Sequence, residues 1–223
     1  MVEALAKVTE EHRLDATVLI VDDNSPDGTG KLADELAEEF SFVQVLHRQR
    51  KEGLGPAYLA AFTVALESKD ELVLTMDCDF SHDPADVPRL VGAAEKADLV
   101  LGSRYVPGGG VSNWGLVRRF VSRGGCLYAQ IILGTRLRDL TGGFKCYRRE
   151  VLERIRLDQI SSRGYAFQIE TTYRALRSGF RIVEIPIVFT DREAGGSKMS
   201  HGIVLEAIER VPALRLRALR GRL

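Results

Sequence analysis

The chain has 223 residues, 45% of them hydrophobic and 28% charged, which is ordinary for a globular protein of one large domain or two small ones. Basic and acidic residues are equal in number, 31 each, so no global basic field favours nucleic acid or an acidic membrane. Three cysteines without metal-type spacing indicate reduced cytosolic thiols, and no apolar run approaches the roughly 20 residues that span a bilayer. We therefore expect any work at a membrane to be done from its surface.

The first two-thirds of the chain alternates strand-like and helix-like segments. Apolar runs predict strands at residues 17–21, 42–46, 71–76 and 98–101. Apolar residues at helical spacing predict helices at residues 2–12, 29–40, 56–66 and 84–96. Repeated β-α-β order with apolar strands is typical of a parallel sheet covered by helices, in which ligands bind beyond the carboxyl ends of the strands.

The remaining third of the chain is less regular. A Gly-rich loop at residues 102–113 is followed by a predicted helix at 114–133 and a turn at 140–144. Residues 181–189 alternate enough to predict a strand, and Pro186 favours a position at the edge of the sheet.

The C-terminal segment has its own character. We interpret residues 1–200 as one domain and residues 201–223 as a basic, amphipathic tail that mixes arginines with Leu, Ile and Val. This tail could rest on anionic lipid, or it could be a packing helix with a solvated end, and the sequence favours neither. The first hypothesis predicts that deleting the residues after Val211 reduces sedimentation with liposomes.

Two acidic pairs stand at the ends of predicted strands. Asp77 and Asp79 follow the third strand, and side chains two residues apart in a regular strand point to the same face. Both carboxylates could approach one Mg²⁺ or Mn²⁺ ion, although a polar turn explains this pair alone equally well. Asp22 and Asp23 end the first strand and could accept hydrogen bonds from a base or ribose. Two acidic strand ends predict one shared crevice.

Several cations are candidates for binding phosphate. Arg104 follows the fourth strand, and Arg118 and Ser122 share one helix face because they are four residues apart. Arg192 and Lys198 share one polar loop. Each cation alone is better explained as a solvated surface charge. Together with a metal ion they supply what a phosphate-rich site needs around developing negative charge.

Six segments, in this order, resemble those of the polyprenol (dolichol) phosphate mannose synthases, which are inverting glycosyltransferases of the GT-A fold. They are VDDNSPDGT at 21–29, MDCDFSH at 76–82, GSRY at 102–105, TGGFK at 141–145, GYAFQIE at 164–170 and DREAGGSK at 191–198. The resemblance covers nearly the whole chain. It implies a Rossmann-like three-layer α/β/α fold with a mostly parallel central sheet, and a catalytic domain at residues 1–200.

The resemblance also implies a reaction and its partners. Mannose would pass from GDP-mannose to a polyprenyl or dolichyl phosphate in the membrane, with Mg²⁺ or Mn²⁺ as cofactor. The protein would be cytoplasmic and peripheral on the cytosolic face of that membrane, and a membrane-anchoring subunit is a possible partner. Because the acceptor phosphate is already ionised at pH 7, no strong general base is required, and we expect a local structural role for His82.

The resemblance assigns roles to residues at the matching positions. Those that would bind the donor lie at strand ends or in the last loop: Val21, Asp23, Asp77, Cys78, Asp79, Arg104, Arg192 and Lys198. Those that would hold the metal ion lie in one short segment: Asp77, Asp79 and Ser81. Those expected to be catalytic surround the reacting groups: Asp79, Arg104, Arg118 and Ser122. Val21 and Asp23 would contact guanosine, and Arg118 and Ser122 would hold the acceptor phosphate.

The beginning of the chain departs from the family pattern. These synthases normally begin with a strand that ends in a Pro-Thr-Tyr-Asn-Glu-like motif and lines the nucleotide pocket, whereas Met1 leads into the helix at 2–12. We therefore expect a fold that lacks this strand. Two alternatives stay open: a polyprenyl phosphate glucosyltransferase that uses UDP-glucose, and a non-catalytic nucleotide-sugar-binding protein. A phosphotransferase is disfavoured because the sequence has no Gly-x4-Gly-Lys-Ser/Thr loop.

Overall fold

The structure, a computed structural model, describes residues 1–162, 164–191, 201–221 and 223, and of residues 201–205 it describes the backbone alone. The elements of the first half are, in chain order, α1 Val2–His12, β1 Val18–Asp22, α2 Thr29–Glu39, β2 Val43–His47, α3 Leu54–Glu67, β3 Leu72–Thr75, α4 Val87–Ala93 and β4 Leu99–Ser103. Each of them was predicted, with ends that differ by a few residues. A 3₁₀ turn, Pro84–Asp86, forms the start of the predicted fourth helix.

The second half holds elements that the sequence analysis only partly predicted. They are β5 Gly110–Ser112, α5 Leu116–Leu133, β6 Lys145–Arg148, α6 Arg149–Arg154, α7 Ala166–Arg177, β7 Ile182–Pro186, β8 Val188–Thr190 and α8 His201–Leu219. The predicted helix at 114–133 is α5, and the strand predicted at 181–189 is divided into β7 and β8. β6 was not predicted, because a strand with a basic residue at each end does not have the pattern of an apolar run.

The main sheet has four strands in the order β3-β6-β4-β7. β4 is parallel to β7, and β6 is antiparallel to both β3 and β4. β7 lies at the edge of this sheet, as Pro186 predicted. Two further parallel pairs, β1-β2 and β5-β8, form separate small sheets.

Alternate residues of the main sheet face two different hydrophobic cores. Val100 and Cys146 contribute to one core, which also contains Leu5 of α1 and Leu90 of α4. Leu99, Leu101 and Tyr147 contribute to the other core, which contains Phe62 of α3 and Phe167 of α7. Because successive side chains of a strand point to opposite faces, helices cover the sheet on both sides. The predicted three-layer α/β/α architecture is confirmed.

The β1-β2 pair is not joined to the main sheet by a strand ladder. Among the described strands β1 pairs with β2 alone, and β3 pairs with β6 alone. Side chains make the connection instead, since Val18 of β1 and Leu72 and Leu74 of β3 pack on the same core.

The C-terminal helix α8 packs on α5 and α7. Its residues Val211, Leu214 and Ala218 are buried in a third core together with Leu133 of α5 and Tyr173 of α7. Packing therefore accounts for one apolar face of the tail, and membrane contact by the tail stays a prediction. No helix in the described part of the chain combines the length and apolar character needed to cross a bilayer.

Candidate active site

A tight turn after β3 brings two of the three predicted metal ligands, Asp79 and Ser81, together. The amide of Asp77 donates a hydrogen bond to His82 Nδ1 at 2.9 Å, which closes the turn. Asp79 Oδ1 accepts hydrogen bonds from Ser81 N, at 3.1 Å, and from Ser81 Oγ. The oxygens of Asp79 and Ser81 are therefore adjacent.

Phe80, in the middle of this turn, has an unusual backbone conformation. Its φ is 59°, in the left-handed region that bulky residues rarely adopt, and its side chain is exposed. Such a residue costs of order 1–3 kcal/mol and persists only where its surroundings hold it in place. Here the hydrogen bonds from Asp77 N to His82 and from Ser81 N to Asp79 both span Phe80 and hold the turn. Strain of this kind is typical of functional sites.

The donor atoms of this turn suit a hard divalent cation. Two carboxylates and a hydroxyl are oxygen ligands of the type that Mg²⁺ and Mn²⁺ prefer. Within the described residues, no three Asp, Glu, His or Cys side chains come together as a metal site. An ion at Asp77, Asp79 and Ser81 would therefore complete its coordination with phosphate and water oxygens, as Mg²⁺ usually does.

Cys78 and His82 have different parts in the turn. Partial burial, followed by the charges of Asp79 and Asp77, raises the pKa of the Cys78 thiol, which therefore stays protonated and unsuited to a hard cation. His82 is buried and stacks on Phe144, with 4.9 Å between ring centroids. Burial lowers the pKa of His82, so the ring is neutral and Nδ1 can accept the Asp77 amide. This geometry matches the local structural role expected for His82.

The second acidic turn follows β1. Asp22 is buried and accepts the Ser25 amide at 3.2 Å, and hydrogen bonds from Ser25 lower its pKa. Asp23 forms an ion pair with Arg48, which also contacts Glu52 at 3.0 Å. Val21 lies half-buried in β1. Asp22 is thus structural, while Asp23 stands in a charged cluster.

A cavity of about 510 Å³ lies beside that cluster. Arg50, Lys51, Glu52 and Pro56 line it. The sequence analysis missed this segment, because cations in a loop after a strand have no pattern that distinguishes them from solvated charges. This depression is open to solvent, and Glu52, which contacts Arg48, joins it to the cluster that contains Asp23.

Helix α3 connects this cavity to the turn after β3. Pro56, in its first turn, lines the cavity, and Tyr58 lies two residues farther along. Gly143 is close to the side chains of both Tyr58 and Asp77. A Cβ atom added to this glycine would lie 3.5 Å from Tyr58 Oη and 3.9 Å from Asp77 Oδ1. Tyr58 therefore approaches Asp77, although the two acidic turns belong to different sheets.

Arg104 is buried and held by Asp139. Its Nε and Nη2 donate to the two carboxylate oxygens of Asp139 at 2.7 and 2.6 Å, and Nη2 also donates to Thr141 Oγ1 at 2.8 Å. Burial acts to raise the pKa of Asp139, but the charge and hydrogen bonds of Arg104 outweigh it and the net shift is downward. Any contact between Arg104 and a nucleotide-sugar donor would therefore be made by Nη1.

Arg118 and Ser122 lie on one face of α5, as their spacing predicted. Arg118 Nη1 donates to both carboxylate oxygens of Asp191 at 2.7 Å, and its guanidinium stacks 4.1 Å from the Trp114 ring centroid. Tyr105 Oη donates to Ser122 Oγ at 2.7 Å. The sequence analysis missed Trp114, the single tryptophan of the chain.

Two buried N–H groups in this stacked pair lack a hydrogen-bond partner among the described residues. They are Trp114 Nε1 and Arg118 Nε. Buried polar groups are nearly always paired in native proteins, so such donors call for an explanation. An anion bound against Trp114 and Arg118 would satisfy both.

Phe189 of β8 places the two regions side by side. Its ring lies 5.3 Å from His82 and 5.4 Å from Trp114, measured between ring centroids. The next residue, Thr190, donates its amide hydrogen to the Ser81 carbonyl oxygen at 3.2 Å. The acidic turn and the Trp114–Arg118 pair are therefore neighbours across one strand. Arg192 and Lys198 lie outside the described residues.

Known proteins are similar in sequence to this chain over most of its length. Residues 1–156 match the model of "Glycosyl transferase family 2". An undecaprenyl-phosphate mannosyltransferase from Micrococcus luteus is 50% identical over 213 residues, 94% of this chain and 88% of the relative. A polyprenol monophosphomannose synthase from Mycolicibacterium smegmatis is 49% identical over 208 residues, 92% of this chain and 77% of the relative.

Solved structures share the fold at lower sequence identity. A glucosyl-3-phosphoglycerate synthase from Mycobacterium tuberculosis, in complex with Mn²⁺, UDP-glucose and phosphoglyceric acid, aligns with a TM-score of 0.56 at 19% identity, covering 98% of this chain and 74% of its own. A mannosyltransferase from Pyrobaculum calidifontis, in complex with GDP-mannose and Mn²⁺, aligns with a TM-score of 0.52 at 13% identity, covering 97% and 69%. These likenesses confirm the predicted GT-A fold. The family resemblance that the six sequence motifs indicated is also confirmed. The chain belongs to glycosyl transferase family 2.

Proposed function

We propose that this protein transfers mannose from GDP-mannose to a polyprenyl phosphate, with inversion, to give a β-linked polyprenyl phosphate mannose. The names of two relatives that share half of its residues support the sugar and the acceptor class. The observation that carries the proposal is the position of an oxygen-rich turn, Asp77–Ser81, beside the unsatisfied donors of Trp114 and Arg118. One side suits a metal and nucleotide diphosphate, and the other suits an acceptor phosphate.

The reaction requires little proton transfer from the protein. An oxygen of the acceptor phosphate attacks the anomeric carbon of mannose, and the bond from that carbon to the GDP oxygen breaks with its electron pair. Because the acceptor is already an anion at pH 7, no side chain has to remove a proton. A single in-line displacement inverts the configuration, so the residues mainly position the two phosphates.

Each region of the site has a defined task in this proposal. Arg118 and Trp114 hold the acceptor phosphate through their buried N–H groups, and Ser122 lies on the same helix face. Asp23 binds guanosine next to the cavity beside Arg48. A divalent cation at Asp77, Asp79 and Ser81, Mg²⁺ or Mn²⁺, would neutralise negative charge on the leaving GDP. Arg104 is held by Asp139 and Thr141, and we expect its Nη1 to contact the nucleotide-sugar donor.

The acceptor also determines where the protein works. A polyprenyl phosphate is a membrane lipid, so we propose peripheral association with the cytosolic face of a membrane. A separate membrane-anchoring subunit remains part of the proposal as a possible partner.

A two-donor assay tests the function. Labelled GDP-mannose or UDP-glucose is incubated with polyprenyl phosphate and Mg²⁺ or Mn²⁺, and label is measured in the organic phase. We expect label from GDP-mannose in the presence of metal, and loss of that label with EDTA. If only UDP-glucose gave label in the organic phase, the transferred sugar would be glucose and not mannose. Donor binding without transfer from either nucleotide sugar would support a non-catalytic binding protein instead.

Trp114→Phe should weaken acceptor binding selectively. The substitution keeps an aromatic ring under Arg118 but removes the buried Nε1–H. A hydrogen bond to a charged group contributes about 1.5–3 kcal/mol, so we expect KM for polyprenyl phosphate to rise at least roughly tenfold. KM for GDP-mannose should stay constant in the same steady-state assay.

Tyr128→Phe is the matched control for this substitution. It removes one hydrogen bond, from Tyr128 Oη to the Ile208 carbonyl oxygen, from another part of α5. Both KM values should then match those of the parent. If Trp114→Phe raised the two KM values equally, the indole would be a structural element and not an acceptor ligand.

A further inference from the structure

Arg118, which we propose to hold the acceptor phosphate, already binds an anionic group of the protein itself. Its Nη1 donates to both carboxylate oxygens of Asp191 at 2.7 Å. The two side chains are 23 and 30% exposed, so water screens this pair only in part. A carboxylate therefore stands where the proposed function needs the phosphate of the acceptor lipid. The two anions would repel each other if both contacted Nη1.

The backbone fixes the position of Asp191. This residue directly follows β8, and its amide donates to the Ser112 carbonyl oxygen of β5 at 3.3 Å. The amide of the preceding residue, Thr190, donates to the Ser81 carbonyl oxygen at 3.2 Å. Two successive amides are thus held by other parts of the site. The carboxylate is placed at Arg118 by the pairing of β8, and not by a free surface segment.

The geometry of the ion pair leaves it open to exchange with a phosphate. The strongest arginine–carboxylate pairs use two nitrogens that donate in parallel, as Arg104 does to Asp139. In its pair with Asp191, Arg118 uses Nη1, and its Nε has no hydrogen-bond partner among the described residues. A phosphate monoester has three terminal oxygens. It therefore has enough acceptors for Nη1, for Nε and for Trp114 Nε1, whereas a carboxylate has only two oxygens.

We propose that Asp191 is a selectivity residue, which occupies Arg118 until a polyprenyl phosphate displaces it and thereby keeps soluble phosphate anions out of the acceptor site. The inference rests on the proposed function, which makes Arg118 a ligand of the acceptor. Inorganic phosphate gains only polar contacts in exchange for the ion pair. The chain of the acceptor lipid contributes apolar binding energy of its own, so the lipid can displace the carboxylate.

Fluorescence of Trp114 tests this inference without donor, lipid or transfer activity. Trp114 is the single tryptophan of the chain, and its ring centroid lies 4.1 Å from Arg118 Cζ, so its emission reports an anion bound there. The full chain is titrated with inorganic phosphate at constant ionic strength. Asp191→Asn removes the charge and keeps the shape of the side chain. We expect this variant to lower the Kd for phosphate at least roughly tenfold, because the repulsion between two anions is lost.

Three further variants make the result specific. Asp191→Ser removes the same charge with a smaller side chain and should give the same gain in phosphate affinity. Asp158→Asn removes a carboxylate from an exposed pair with Arg156 and should bind phosphate like the parent. Arg118→Gln combined with Asp191→Asn should lose the gain, because the cation itself is absent. Equal phosphate Kd values of the parent and both Asp191 variants would overturn the inference, and so would a gain that persists without Arg118.

Transfer assays separate this inference from the proposed function. In Asp191→Asn, inorganic phosphate should become a stronger competitor of polyprenyl phosphate, by at least about tenfold in its inhibition constant. KM for polyprenyl phosphate should fall as well, since the lipid no longer displaces a charge, while KM for GDP-mannose stays at the parent value. A rise in KM for the lipid would overturn the inference, because Asp191 would then organise Arg118 for the acceptor. Tighter phosphate binding in Asp191→Asn supports the exclusion of phosphate even if the parent transfers no mannose.

Discussion

Asp79→Ala is expected to lower kcat/KM for mannosyl transfer roughly a thousandfold, equivalent to about 4 kcal/mol of transition-state stabilisation. The substitution removes a hard oxygen ligand from the turn after β3, together with the acceptor of the Ser81 amide and hydroxyl hydrogens. Both the charge and the shape of the proposed metal site are lost. Steady-state transfer measured over a Mn²⁺ titration checks this result.

Two further variants separate charge from local structure. Asp79→Asn keeps an oxygen for Ser81 but removes the charge, and we expect it to lose nearly as much activity as the alanine variant. Asp83→Ala removes an exposed carboxylate four residues away, one that accepts the Ala85 amide at 2.9 Å, and should keep transfer activity near the parent level. Parent-like activity of Asp79→Ala across the titration would refute the metal assignment.

Asp139→Asn is expected to lower the free energy of unfolding by about 3–5 kcal/mol. The carboxylate and guanidinium of Asp139 and Arg104 are both buried, and two parallel hydrogen bonds join them. Removing the negative charge leaves Arg104 charged and uncompensated in the interior, since a guanidinium cannot lose its proton there. Urea unfolding of parent and variant measures the difference.

The pH dependence of this difference has a defined sign. Arg104 lowers the pKa of Asp139 below its ordinary value of 3.8, so the pair stabilises the fold fully above that pH. The contribution is lost as the pH falls through the lower pKa of the folded state. The stability gap between parent and Asp139→Asn should therefore shrink in acid.

A surface pair and a double variant serve as controls for the buried pair. Asp158→Asn disrupts a pair with Arg156 that is mostly exposed, and its effect should stay within about 0.5 kcal/mol. Arg104→Met with Asp139→Leu removes both charges, and it should destabilise less than Asp139→Asn alone. A double variant that is as unstable as the single one would mean that the loop around Thr141, and not the unpaired charge, sets the loss.

The sequence predicted the parts of the fold that depend on local patterns. Apolar runs identified β1 to β4, and helical spacing placed Arg118 and Ser122 on one face of α5. The acidic turn was also predictable, because two carboxylates directly after an apolar strand are unusual for a buried segment. These features need no information about distant parts of the chain.

The features that the sequence did not predict depend on contacts between distant residues. Arg104 was expected to bind the donor, and the sequence did not predict that Asp139, 35 residues away, also pairs with its guanidinium. Lys145 begins the unpredicted β6 and is fully buried, with Nζ donating to the Gln168 carbonyl oxygen of α7 at 2.8 Å. Burial lowers the pKa of Lys145 to about 7. A charged residue that is buried through tertiary hydrogen bonds cannot be distinguished from a surface lysine by local pattern.

Trp114 was missed for a related reason. The loop before α5 has no periodic pattern of apolar residues. The indole of Trp114 is of interest because it stacks on Arg118 and carries a buried N–H group. Only the folded arrangement shows that this donor is unsatisfied.

The division of the sheet between β1 and β3 has a consequence for cooperativity. We expect the strands that are joined by backbone hydrogen bonds to unfold together. In the described residues, only side-chain packing joins the β1-β2 pair to the four-stranded sheet. If Asp23 binds the nucleotide as proposed, we expect the nucleotide side to open in a sub-global event while the β3 side, with Asp79, stays folded. A nucleotide-sugar donor bound to both units would stabilise each of them against opening. Substrate binding would therefore make the two units open together.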